Sequence, residues 1–179
     1  MKPITHGSIL AVFFSATTSE TIEGRRWYSD ARLFCEQVAG TYLGGFEHSK
    51  VKVVAGVLSA VSPSNRWERN KIDAEALVKE HTRGGDCSGI KVCSYGSNKA
   101  KAIQILGGRK PLDVLSGQKV RSFYGCVLGE KDSVCVDGHA YSIWLGERVA
   151  TSKTPKISEK LYSSIAADYA CAAEQISAI

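Results

Sequence analysis

"PLDVLSGQKVRSFYGCVL", residues 111–128, decides the fold. Pro111 carries a backbone angle suited to the first turn of a helix and lacks the N–H that such a position leaves unpaired, so it opens a short helix. Ser116-Gly117 stops that helix, and Gln118 to Leu128 resume a helical period. Two short helices joined by a tight glycine-containing turn make a helix-hairpin-helix pattern. The turn leaves backbone N–H groups at a helix start, where phosphate binds well.

Outward from the hairpin, the other periodic runs are helical too. Ala31, Phe34, Cys35, Val38 and Tyr42 keep helix spacing until Gly44-Gly45. "VKVVAGVLSAV", residues 51–61, is apolar nearly all round, which predicts a central buried helix. Asn65, with Glu68 three residues on, supplies capping chemistry for a helix that sets Trp67, Ala74, Leu77 and Val78 on one side. Residues 83–96 have four glycines and no period and read as a loop. A helix from Ser97 to Leu106 then turns Ala100, Ile103 and Leu106 inward and ends at Gly107-Gly108.

Ile157, Leu161, Ile165, Tyr169, Ala172 and Ile176 form one stripe along a long carboxy-terminal helix. Its expected partner is "SILAVFFSA", residues 8–16, too short to span a bilayer and read as a buried amphipathic helix in preference to a signal segment. Only "VCV", residues 134–136, suggests strand pairing. The expected fold class is all-α, one domain over residues 1–179, with the amino- and carboxy-terminal helices packed together.

The composition is that of an ordinary soluble chain, 44% hydrophobic and 23% charged, which requires neither disorder nor a disulfide scaffold. The net charge of +5 is unevenly spread. Between Thr82 and Gly125 lie Arg83, Lys91, Lys99, Lys101, Arg109, Lys110, Lys119 and Arg121 against only Asp86 and Asp113. Such a field suits a phosphate backbone, and equally a solvated basic face. The six cysteines lack a CxxC pair, so reduced, mostly buried thiols in a cytoplasmic setting are expected. Cys87 and Cys93 share a loop and form the only near pair for a disulfide or metal; no metal site is expected.

Leu58-Ser59-Ala60, Leu115-Ser116-Gly117-Gln118-Lys119 and Val136-Asp137-Gly138-His139 follow one another in an order and separation that resemble the helix-hairpin-helix DNA glycosylase superfamily, the endonuclease III-like base-excision enzymes. The resemblance covers residues 48–150, leaving 1–47 and 151–179 as flanking helices, and its most specific part is the Val-Asp-x-His element after the hairpin. It implies a glycosylase-like helical fold and a monomer on double-stranded DNA, away from membranes. It also implies hydrolysis of the N-glycosidic bond of a base flipped out of the duplex. Asp137 matches the family's essential aspartate. A carboxylate placed there stabilises positive charge growing at the sugar C1′ and orients water. It is also acceptable helix-capping chemistry, and the two roles are compatible.

The departures refine the expectation. The position of the lysine that forms a Schiff base in bifunctional relatives holds Arg121, which stays protonated and cannot be that nucleophile. A monofunctional glycosylase without lyase activity is therefore expected. No cysteine motif for an iron–sulfur cluster is present, and no cofactor is expected beyond the monovalent cation that the resemblance implies at the hairpin carbonyls. Gly117, Gln118, Lys119, Arg121 and Ser122 are the expected backbone contacts. Val61 stands where relatives often carry a gap-filling glutamine, so that role passes to Asn65 or Arg66 or is lost. His139 is a further DNA contact, although a histidine just past a cap is more often structural. Among the aromatics, which at helical spacing are usually core, Trp67 and Tyr124 are the base-stacking candidates. The alternatives are a phage-type base-modifying enzyme on the same fold and a non-catalytic hairpin module.

Overall fold

The computed structural model describes residues 6–150 and 153–178, which are helix and connecting loop with no strand among them. The all-α expectation is met. Two compact units emerge, Trp27–Lys131 and Met1–Arg26 with Asp132–Ile179, and the division falls inside one helix.

The central unit is organised by α3 (His48–Ala60), which buries an unbroken run from Val54 to Ala60 as well as Val51. A helix apolar on every side must sit at the centre. α4 (Trp67–Thr82), α5 (Gly96–Leu106), α6 (Pro111–Val114) and α7 (Gln118–Leu128) pack around it. α2 (Thr18–Tyr42) begins well before Ala31, where the apolar period first shows. Thr17 and Glu20 explain this early start: the Thr17 N–H donates to Glu20 Oε2 at 2.8 Å and the Glu20 N–H to Thr17 Oγ1 at 3.3 Å. That is a reciprocal capping box.

Two local expectations are corrected in this unit. Asn65 does not cap α4, whose first turn has no side-chain cap; its Nδ2 donates instead to Asp73 Oδ2 at 2.9 Å and to the Val61 carbonyl at 3.3 Å. Asp73 is buried and also accepts from the Cys93 N–H at 2.7 Å while pairing with Arg69 Nε at 2.7 Å, so satisfying that carboxylate takes precedence over the cap. In α5 the inward positions are Asn98, Ala102, Ile105 and Leu106, and Ala100 faces solvent. The loop before α5 includes a short 3₁₀ turn, Cys87–Gly89, capped by Asp86.

The second unit contains α1 (His6–Ser15), α8 (Gly138–Leu145) and α9 (Glu159–Ser177), and α1 packs on both α8 and α9 as the terminal stripes suggested. α1 is not the buried helix expected. Ile9 is enclosed, but Val12 is 46% and Phe14 61% exposed, because only one narrow stripe of α1 meets its neighbours. The "VCV" segment does not form a strand. The Tyr162 hydroxyl accepts from the Val136 N–H at 2.9 Å and donates to the Val134 carbonyl at 3.0 Å, doing for these backbone groups what a partner strand would. No helix among the described residues is long and apolar enough to cross a membrane.

Candidate phosphate-binding hairpin and carboxylate

The hairpin is seated on the centre of the larger unit. Gly56 of α3 lies directly beneath Pro111: a Cβ at Gly56 would stand 2.8 Å from Pro111 Cγ and 2.9 Å from its Cβ. The missing side chain lets the ring that opens α6 rest on the α3 backbone. Val114 and Leu115 are buried, fixing the turn from below. Gly117 then adopts φ +83°, a left-handed conformation that favours glycine, and serves as the N-cap of α7.

Gly117, the N-cap of α7, has no side chain with which to bond the first turn, so the cap itself offers no acceptor to the leading N–H groups. Gln118, Lys119 and Arg121 are exposed and Ser122 is half-buried. The Arg121 N–H closes the first turn onto the Gly117 carbonyl at 3.2 Å, leaving the guanidinium outside. Part of the surrounding basic field is already engaged. Lys99 donates to the Ser88 carbonyl, Lys101 Nζ to Ser116 Oγ at 2.6 Å, and Arg109 to Gln104 Oε1 at 2.8 Å. Arg83, Lys91, Lys110, Lys119 and Arg121 of the same field are exposed as well.

The loop between α3 and α4 is braced by hydrogen bonds from the start of α5 and the residues before it. Ser94 Oγ donates to the Pro63 carbonyl at 3.1 Å, Asn98 Nδ2 braces Ser94 at 2.9 Å, and Ser64 occupies a left-handed conformation at φ +59°. With Asn65 committed to Asp73, Arg66 is the exposed candidate of that pair. Trp67 is half-buried, with its ring 4.8 Å from Trp27, which is 38% exposed, and with Lys71 Nζ 5.4 Å from its centroid. Sequence reasoning passed over Trp27, whose only signal was its place in the first half of α2. Tyr124 is 3% exposed and belongs to the core, so it offers no ring face to a base; burial, with the Glu130 charge behind it, pushes its hydroxyl up to about 12.

Asp137 belongs to the other unit and is half-buried. It is the N-cap of α8: Oδ1 accepts from the N–H groups of His139 and Ala140, both at 2.9 Å. Oδ2 carries no hydrogen bond among the described residues, so half of the carboxylate is left for another partner. α9 holds this cap in place. Tyr162 fixes Val136 on one side, and the Tyr169 hydroxyl donates to the Ala140 carbonyl at 3.0 Å on the other. Burial raises the Tyr169 hydroxyl well above the ordinary tyrosine range, with the Asp137 charge adding to it. Trp144 Nε1 anchors the far end of α8 on Asp168 at 2.6 Å. His139 is exposed beside the cap.

Among the described residues no group of three or more His, Cys, Asp or Glu could hold a metal ion, and the cysteines, Cys87 and Cys93 included, are free thiols. Cys35, Cys87 and Cys126 are buried, whereas Cys93 is exposed.

The chain belongs to DUF7178, a family of unknown function whose profile matches residues 3–179. No curated protein and no solved structure matches it.

Proposed function

We propose that this protein binds double-stranded DNA through the Leu115–Lys119 hairpin and hydrolyses the N-glycosidic bond of a flipped-out base, in the manner of a monofunctional base-excision glycosylase. The observation that carries the reading is the hairpin itself. Two helices meet at a left-handed Gly117, the second starts without a side-chain cap, and Lys119 and Arg121 stand exposed around it. The positive end of a helix with cationic side chains nearby suits a phosphodiester oxygen. The monovalent cation that the resemblance implies would be held by the hairpin carbonyls.

Asp137 is the carboxylate of the reaction. Its Oδ1 is spent on the cap, which orients the group, and Oδ2 is the oxygen that faces the developing charge at C1′ or the attacking water. Arg121 cannot form a Schiff base, so water is the nucleophile and the strand is left intact. A second reading, a non-catalytic DNA-binding module, is favoured by the fact that capping alone accounts for Asp137. A base-modifying enzyme on the same fold is the third, and it shares the hairpin and the carboxylate.

Mass spectrometry of the free bases and nucleosides formed from DNAs carrying normal, damaged and hypermodified bases separates these readings. Release of a free base that disappears in Asp137→Asn, while duplex binding survives, supports the hydrolase. A changed nucleoside without release supports base modification, and neither product supports the module.

A further inference from the structure

Trp27 is the exposed member of an aromatic cluster in the same unit as the hairpin. It is 38% exposed, yet three rings support it: Trp67 and Tyr28, each with its centroid 4.8 Å away, and Phe123 at 6.1 Å. Tyr28 meets it at 84° and Trp67 leans on it at 40°, so the indole is fixed from several sides. Trp67 is half-buried and has Lys71 Nζ 5.4 Å from its centroid, so it backs Trp27 and presents less of its own ring.

Phe123 ties this cluster to the hairpin. It stands five residues after Gln118, the first residue of α7, or about 8 Å along the helix axis. Lys119 is exposed one turn before Phe123 on the same side of α7, between the hairpin and the rings. Arg66, the N-cap of α4 and the neighbour of Trp67, is exposed, and no hydrogen bond or ion pair engages its side chain among the described residues.

We propose that Trp27 stacks on an unpaired base of the DNA whose backbone the hairpin holds, so that locally unpaired DNA is the preferred partner. This rests on the hairpin reading above and adds to it a residue and a form of substrate. A phosphate at the start of α7 and a base about 8 Å further along it are spanned by a single nucleotide. Arg66 and Lys119 supply positive charge for the neighbouring phosphates. An aromatic ring flanked by cations is the usual platform for an unpaired base, because every base has a π-face and its strand is a polyanion. In a fully paired duplex each base is already stacked on both faces, which leaves Trp27 nothing to engage.

The test compares the affinity of the full chain, by fluorescence anisotropy at fixed salt, for a paired duplex and for the same duplex carrying one unpaired thymidine. The bulged duplex is expected to bind about tenfold tighter. Trp27→Leu keeps apolar bulk against Trp67 and Phe123 but removes the ring, and should abolish that advantage, whereas Trp27→Tyr should keep most of it. Melting temperatures check that both variants fold. Should Trp27→Leu melt early, quenching of indole emission by the bulged duplex, present in the wild type and lost in Trp27→Tyr, gives the same answer. Equal affinity for the two duplexes, or a preference that survives Trp27→Leu, overturns the proposal. Affinity for the paired duplex and its response to Arg121→Ala report on the hairpin alone, so failure of one reading is told from failure of the other.

Discussion

The surroundings of the hairpin and of Asp137 are built by different means. Beneath the hairpin, α3 buries apolar groups on every side, and Val114, Leu115 and the run from Phe123 to Leu128 complete the packing. Around Asp137 the enclosed residues are few, chiefly Val136, Tyr162 and Ile165, and α8 has no buried residue of its own. There the tyrosine hydroxyls and the Trp144–Asp168 bond carry much of the definition. Apolar packing resists opening over a whole unit, whereas a few hydrogen bonds hold a short helix with little in reserve. The DNA grip proposed for the hairpin would rest on the first kind of support. The carboxylate stands on the second, where its orientation depends on particular side chains.

Truncating the packed side should have the largest effect. Leu58 is fully enclosed in α3, and Leu58→Ala is expected to cost about 2–5 kcal/mol, read by denaturant unfolding. A loss below 1 kcal/mol would break the contrast, because it would mean that the α3 core is loosely filled. Tyr162→Phe tests the other region. It keeps the ring but strips both bonds to the Val134–Val136 backbone, for an expected loss of about 1–3 kcal/mol. Hydrogen exchange should quicken through residues 134–145 and leave α3 protected. Uniform loss across both regions would contradict their separate support.

High pH gives a smaller, graded effect that sharpens the comparison. Burial, reinforced by Glu36, pushes the Cys35 thiol from 9.0 up to about 12, and Tyr124 in the same unit also stands at about 12 against an ordinary 10.0. Both are raised in the folded chain, so their contribution is complete below about pH 9, where neither state has lost its proton. It fades as pH climbs toward about 12, since the unfolded chain ionises first. Unfolding midpoints followed from pH 8 to 11 should fall in the wild type and fall less in Cys35→Ala after allowing for its lower starting stability.

The sequence carried the large features well because they rest on local chemistry. Pro111, Gly107-Gly108 and Gly117 punctuate the hairpin, and the all-apolar run of α3 admits no placement but the centre. The errors arose where a long-range partner outbid a local preference. Asn65 looked like a cap until Asp73, eight residues away, claimed its amide. "VCV" looked like a strand, but its partner is a hydroxyl on a distant helix. α1 looked buried because composition reports how apolar a helix is and not how much of it its neighbours cover. The Thr17–Glu20 box was readable and marks the true start of α2. Trp27 and the Gly56–Pro111 contact depend on three-dimensional adjacency, which no spacing reveals.

Salt dependence of duplex binding tests the central claim most directly. If the hairpin grips the phosphate backbone, the affinity of the wild-type chain should fall steeply with added salt, and Lys119→Ala and Arg121→Ala should each weaken binding and reduce the log–log slope by about 1. Duplex binding that ignores salt, or that keeps its affinity and slope in both variants, would contradict the assignment of Leu115–Lys119 as the DNA grip.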